Sequence, residues 1–356
     1  MIRDKNILIK NIYYMLSYAY QALQFKGYKS IQTESFDNVQ DLFAAILAKG
    51  VQHQIKQGVA KEYIEMSEAL STLRGKIDIS ATIKCNLQRN NKLVCCYDEL
   101  SENNQMNQIL KTTANYLIFS DQVKKENKAA LKRAMLFFSN VDTIDPKSIR
   151  WGALKYHRNN QTYRLLMNIC YLVLSGLILT TDKGEQKLAT FLDDQAMSAL
   201  YEKFVLEFFK KHYPMLNARA MQISWDVDDD VIKHLPVMKT DITLSYKGKT
   251  LIIDAKYYSH SMQTRRGFDS LTIHSNNLYQ IFTYVKNHDK RKTGNVAGML
   301  LYAKTDEAIT PDVQYQMSGN TISVKTLDLN CPFQIIKEQL ERIAESLIES
   351  DGIAVG

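Results

Sequence analysis

The chain has no C-x-x-C pair among its five cysteines, and two of the five, Cys95 and Cys96, are adjacent. That excludes a disulfide framework and a cysteine-rich zinc site, and fits reduced thiols in the cytoplasm. H-E-x-x-H is missing, so the seven scattered histidines do not form a zinc-peptidase helix. There is no G-x-S-x-G nucleophile elbow. Gly248-Lys249-Thr250 resembles the end of a phosphate-binding loop, but the motif needs glycine at 243, where Thr243 stands. That segment also turns between strands instead of opening a helix, so no NTPase site is expected in this chain. The longest apolar run, Cys170 to Leu179, is too short to span a bilayer and reads as a buried helix. The start, MIRDKNILIK, lacks a signal-peptide pattern. No internal repeat or low-complexity tract is present. What remains is a globular composition, 45% hydrophobic and 23% charged. A net charge of +7 permits polyanion binding without requiring it. At 356 residues the chain can hold two domains.

The informative segment is DITLSY, Lys247-Gly248, KTLIIDAKYY, which reads as a β-hairpin around a glycine-containing two-residue turn. A turn centred there sets residues whose numbers sum to 495 opposite each other. Asp241 then faces Asp254, with Cβ atoms about 4.5–5.5 Å apart. Like charges directly opposite are destabilising unless something neutralises them, and a divalent cation does so. Lys256 lies two residues beyond Asp254 and shares its face. Ile242, Leu244, Leu251 and Ile253 take the other face, which suits a core. Two carboxylates suit Mg²⁺, a hard cation that keeps several waters, with the Ala255 backbone carbonyl as a further ligand. Such a metal polarises a phosphate and acidifies a water, and the lysine can orient that water or stabilise developing charge. The plain alternative is a surface hairpin with solvated acids and an ordinary ion pair.

Residues 195–212 read as a helix, 221–227 as a strand, 239–258 as the hairpin, 275–287 as a helix and 296–304 as a strand. This αβββαβ order resembles the core of the PD-(D/E)xK nuclease superfamily, although Thr240 replaces the usual proline before Asp241. On the first helix, Glu202 borders an apolar face formed by Val205, Leu206 and Phe209. It is the candidate third carboxylate, or else a helix-surface acid. On the later helix Gln280 and Tyr284, four apart, share a face. A Q-x-x-x-Y in this position recurs in one branch of these nucleases, which makes Gln280 a candidate site residue. The polar segment between hairpin and helix carries Arg265 and Arg266, which suit phosphate contact, a solvated loop or a docking surface.

The N-terminal half opens with NIYYMLSYAYQAL, in which Ile9, Ile12, Leu16, Tyr20 and Leu23 trace one stripe, more suited to core packing than to a cofactor. A helix near 40–57 follows, then STLRGKIDI and KLVCCY as strands and QMNQILKTTANYLIF as a helix. Residues 140–161 are polar and irregular, which places a domain boundary near 155. The expected architecture is thus a two-domain α/β (α+β) protein. Residues 1–155 would form a mixed α/β domain, and 156–356 a restriction-endonuclease-like αβββαβ domain.

With both halves in view, the chain resembles the McrC family, the nuclease subunits of McrBC modification-dependent restriction systems. The resemblance runs almost end to end. It is carried by Lys10 through Ala19, Leu73-Arg74-Gly75-Lys76-Ile77 and Tyr97-Asp98-Glu99-Leu100. In the second half it is carried by Thr240-Asp241-Ile242-Thr243, Ile253 through Tyr258, and Asn277-Leu278-Tyr279-Gln280. The Thr-Asp form is how this family writes the motif. The resemblance implies an Mg²⁺-dependent endodeoxyribonuclease docked through its N-terminal half on an McrB-like AAA+ ring. In that scheme the partner binds GTP and recognises double-stranded DNA with modified cytosine. This chain stimulates GTP hydrolysis and supplies the cleavage centre, and complexes can dimerise through the nuclease domain. Two other readings remain. One is a freestanding PD-(D/E)xK DNase or repair nuclease. The other is a catalytically silent NTPase adaptor, which would have no need for two opposed acids.

Overall fold

The computed structural model describes residues 3–4, 7–20, 31, 36, 38–87, 92–156, 161–181, 194–229, 231–257, 262–264, 271–304 and 311–349. Arg265, Arg266, Leu23 and Tyr258 lie outside them. The chain divides into two compact units, one made of residues 1–42 with 183–356 and the other of 43–182. The single boundary expected near 155 does not describe this division, because the first helix, α1 (Ile9–Ala19), belongs with the C-terminal unit. Its apolar stripe explains why. Ile9, Ile12 and Leu16 are buried. Asn11, also buried, donates through Nδ2 to the carbonyls of Leu329 and Cys331, each at 2.8 Å. Tyr14 stacks on Phe333 at 4.3 Å between centroids, and Tyr18 meets Phe204 edge-on at 5.6 Å. Buried amides of this kind need partners, and these come from the far end of the sequence.

After α2 (Val39–Gln57) the unit formed by 43–182 carries a three-stranded antiparallel sheet. Its strands are β1 (Glu62–Leu70), β2 (Lys76–Ile77) and β3 (Leu93–Ser101), with β3 central. The strand expected over STLRGKIDI contracts to β2. Gly75 turns ahead of it with φ +70°, and a Cβ there would lie 2.5 Å from the Cys96 carbonyl oxygen, so the close approach requires glycine. β1 is not evident from the sequence, because EYIEMSEAL alternates weakly and is half acidic or small. Helices α3 (Ile79–Leu87), α4 (Gln105–Phe119), α5 (Lys125–Met135) and α6 (Gln161–Thr181) complete the unit. The apolar run is buried in α6 from Cys170 to Leu174, apart from half-buried Tyr171. Among the described residues no helix is long and apolar enough to cross a membrane. None of the five cysteines forms a disulfide.

The other unit continues with α7 (Asp194–His212), then β4 (Gln222–Ile223) and β5 (Met238–Lys239), which pair with each other as a two-stranded sheet. The strand expected over 221–227 is thus two residues long and stands outside the main sheet. A five-stranded sheet follows, built from β6 (Ile242–Tyr246), β7 (Lys249–Lys256), β8 (Val296–Ala303), β9 (Val313–Met317) and β10 (Asn320–Leu327), in the order β9-β10-β8-β7-β6. β6 and β7 pair antiparallel with Ile242 opposite Ile253 and Tyr246 opposite Lys249, the register in which numbers sum to 495. Lys247 and Gly248 turn at φ 42° and 82°, the two-residue conformation that matches strand twist. α8 (Ser275–His288) connects β7 to parallel β8, and α9 (Phe333–Glu349) closes the chain. The β9–β10 hairpin and α9 were not assigned from the sequence, though Ser318-Gly319 between alternating segments is a turn of the same kind, at φ 50° and 85°.

The hairpin face that carries the acids is not an open polar surface. Ile252 shares it and joins Leu300, Tyr302, Ile281, Tyr284 and Val285 in a core beneath α8. On the opposite face, which buries Ile242, Leu244 and Ile253, α7 packs on β7 and the Tyr201 hydroxyl donates to the Leu301 carbonyl at 3.4 Å. The acids stand at the end of the β6–β7 ladder, where the strand pairing stops. The fit of α8 depends on Gly298: a Cβ there would lie 2.8 Å from Ile281 and Val285 side-chain carbons and 2.9 Å from Ile322. These neighbours are branched and stiff at χ1. Gly298→Ala is therefore expected to destabilise the chain by about 1–3 kcal/mol, the usual cost of overpacking. Urea denaturation read by circular dichroism checks it.

Candidate functional site

The ladder between β6 and β7 ends at Ile242–Ile253. Asp241 lies one step past it, at a bend where the hydroxyls of Thr240 and Thr243 bond at 2.9 Å. Asp241 Oδ2 accepts a hydrogen bond from the Ala255 N–H at 2.9 Å, replacing a backbone bond that the ladder would have made. Asp254 follows from the hairpin register and is 1% exposed. The two carboxyls stand close enough to act on each other's proton affinity. The structure therefore brings Asp241 and Asp254 together, with Asp241 held by a backbone donor that strand alternation alone does not reveal. Ala255 itself is fully buried.

Lys256 Nζ lies 2.8 Å from Asp254 Oδ2, an ion-pair distance, yet neither oxygen of Asp254 receives a directed hydrogen bond among the described residues. A buried carboxylate normally satisfies its lone pairs, so the unsatisfied oxygens are the observation that most favours a ligand here. Lys256 also donates to Gln280 Oε1 at 3.4 Å, and Gln280 Nε2 donates to the Tyr284 hydroxyl at 3.0 Å. The Q-x-x-x-Y spacing thus becomes a bracket that steadies the lysine from α8. Tyr284, which the sequence marked only as sharing a face with Gln280, is the far anchor of that bracket.

Glu202, on α7, accepts from the Ser198 hydroxyl at 3.2 Å. Its carboxyl is pushed up to about 7, by burial first and by the charge of Asp241 second. It therefore feels the acid pair, but among the described residues no three His, Cys, Asp or Glu side chains come close enough to hold one metal ion. Glu202 stands beside the pair rather than completing a ligand set. Burial also pushes the carboxyls of Asp241 and Asp254 up, while Lys256 pulls both back.

Two buried, close carboxyls with unsatisfied oxygens fit a hard divalent cation such as Mg²⁺, whose remaining positions water can fill. Their raised proton affinity has a sign that can be tested. An acid whose folded pKa lies above its unfolded value makes the native state bind extra protons, so stability falls as pH rises between the two. For Glu202 the window runs from 4.5 to about 7. In metal-free buffer the wild-type chain is expected to lose stability over that window, and Glu202→Gln to flatten the loss. Metal binding displaces protons from its ligands, and burial pushes the Asp254 carboxyl up to about 7, so Mg²⁺ affinity should rise as pH approaches that value. Thermal midpoints with and without Mg²⁺ across the window test both slopes.

A family model described as McrBC 5-methylcytosine restriction system component matches residues 3–303. The Type IV methyl-directed restriction enzyme EcoKMcrBC of Escherichia coli (strain K12) is 27% identical over 347 residues, which cover 96% of this chain and 99% of that protein. Two solved assemblies from Thermococcus gammatolerans also align with the chain. A half-complex of McrB AAA+ hexamers with bound McrC does so at TM-score 0.48 and 17% identity, over 95% of this chain and 76% of that one. An McrBC complex does so at TM-score 0.40 and 20% identity, over 56% of each.

Proposed function

The chain belongs to the family of McrBC 5-methylcytosine restriction system components, and on that premise we propose that it is the DNA-cutting subunit, a PD-(D/E)xK endonuclease that hydrolyses phosphodiester bonds at the Asp241–Asp254–Lys256 centre. The observation that carries this reading is the buried Asp254 carboxylate, whose two oxygens lack directed donors beside an opposed Asp241. A divalent cation held by these two carboxylates, with the Ala255 carbonyl in reach, would neutralise the phosphate and acidify an attacking water. The chain's own groups perform the remaining work. The Ala255 N–H fixes the rotamer of Asp241, so the ligand geometry is set before substrate arrives. Lys256, braced by Asp254 and Gln280, presents its ammonium where negative charge develops on the phosphate. Glu202, with a proton affinity near neutrality, can hold or release a proton at the edge of the site.

The relative is a methyl-directed restriction enzyme, and one aligned assembly is described as McrB AAA+ hexamers with bound McrC. By extension this chain works with an AAA+ GTPase ring that binds the GTP and recognises double-stranded DNA carrying modified cytosine. The proposed docking surface is the β1–β3–β2 sheet. Tyr63 and Leu100 sit directly opposite each other there, 75% and 50% exposed, with Leu73 (61%) and Ile79 (70%) in the same unit. A cross-strand apolar pair facing water suits an interface core. Changing Tyr63 and Leu100 together to serine in the full-length chain should weaken ring binding by about tenfold or more. Stimulation of GTP hydrolysis should fall with it, at an unchanged thermal midpoint. Unchanged binding would move the docking surface elsewhere. Cleavage of methylated against unmethylated DNA, with and without the ring and GTP, tests the whole reading. Efficient cutting by this chain alone would favour a freestanding nuclease.

A further inference from the structure

We infer that Lys239 is a DNA-contacting residue of this site, binding a backbone phosphate of the cleaved strand beside the one that is cut. The inference deepens the nuclease reading and rests on it. Lys239 is exposed between two buried neighbours, Met238 (4%) and Thr240 (1%). Its backbone is fixed on both sides. It pairs with Gln222 in the β4–β5 ladder, and the next residue is held by Thr240 N–H to the Met221 carbonyl at 2.9 Å. The Met221 N–H returns a bond to Thr240 Oγ1 at 3.0 Å. Two residues further along the chain stands Asp241. The base of this lysine is thus as firmly placed as the metal-binding acid.

Its ammonium has no such anchor. Two lysines act on Asp241, Lys256 and Lys239, and Lys239 acts on Glu202 as well. Lys256 is occupied by Asp254 and Gln280. Lys239 makes no ion pair or hydrogen bond among the described residues, although it lies within electrostatic range of two acids. A cation that is near carboxylates, rigidly based and unpaired keeps its charge available for an anion from outside. Lysine binds phosphate as a point charge, positions the duplex and carries no sequence information. Lys239 should therefore affect affinity and salt dependence, without altering which modified sequence is chosen.

The test uses the full-length chain and a short fluorescein-labelled DNA duplex, with divalent metal removed so that no cutting occurs. Binding is measured across a salt series for wild type, Lys239→Gln and Lys239→Arg. Loss of one phosphate contact should lower affinity several-fold at low salt. It should also reduce the slope of log affinity against log salt by about 0.9. Lys239→Arg, which keeps the charge, should restore both. An unchanged slope in Lys239→Gln overturns the inference alone. So does an unchanged slope accompanied by a higher Mg²⁺ requirement for cutting, since Lys239 would then act only on the acids. Lost ring binding with an intact DNA slope would likewise overturn it, by making Lys239 a partner contact. If the wild-type chain neither binds nor cuts duplex DNA under any condition, the inference falls together with the nuclease reading.

Discussion

Asp254→Asn is expected to lower DNA cleavage by about 10³-fold or more, the equivalent of roughly 4 kcal/mol of transition-state stabilisation. The chain should remain folded. Asparagine keeps the shape of the side chain and removes a charge that is 2% exposed and lacks directed hydrogen bonds. Lys256 loses its nearest partner but keeps Asp241 within electrostatic reach. Removing one of two close like charges also relieves repulsion. Metal-free stability should therefore stay within about 2 kcal/mol of wild type, the scale of one buried polar adjustment. The discriminating measurement is stabilisation by Mg²⁺. A site-bound ion adds about 2.7 kcal/mol when free metal is about 100-fold above its dissociation constant. Wild type should show this shift in its thermal midpoint, and Asp254→Asn and Asp241→Asn should not. A variant that cuts at the wild-type rate, or keeps the full Mg²⁺ shift, would show that these acids are not the metal centre.

The second large effect concerns fragments. A fragment ending near 155, the boundary that composition suggests, should fail to fold as an independent domain. It would carry α1 without Leu329, Cys331, Phe333 and Phe204, the groups that satisfy Asn11 and cover Tyr14 and Tyr18. It would also lack α6. There Tyr163, fully buried, donates to Asn107 Oδ1 at 2.8 Å and accepts from the Ala60 N–H at 3.1 Å. Truncating one buried leucine or isoleucine costs about 2–5 kcal/mol, and a domain's whole stability is about 5–15 kcal/mol. Residues 43–182 should instead fold alone, and should carry ring binding if the β1–β3–β2 sheet is the docking surface. The complementary chain without 1–42 should lose its cooperative transition. Proteolysis and circular dichroism melts on the fragments decide this. A folded, cooperative 1–155 fragment would refute the division.

The sequence by itself determined the local geometry of the candidate site. Period-two alternation and a two-residue Lys247-Gly248 turn specify the register of the hairpin, because a slip of one residue would send Ile242, Leu244, Leu251 and Ile253 to the wrong face. Asp254 beside Lys256 follows from that register, and helical spacing alone pairs Gln280 with Tyr284. These are short-range consequences of backbone sterics, and they are legible wherever the partners lie within a few residues of one turn. Tertiary structure decided the rest. The ladder stops before Asp241, and the Ala255 N–H captures that carboxylate, because Thr240 and Thr243 bend the strand there. The face read as polar is largely covered by α8, an arrangement made possible by the missing side chain at Gly298. Glu202 remains on its own helix with Ser198 instead of joining a three-acid cluster. The first helix joins the second half of the chain because Asn11 finds its acceptors more than 300 residues away. Such pairings depend on which surfaces meet after the chain collapses, and hydrophobic periodicity says that a face will be buried without saying against what.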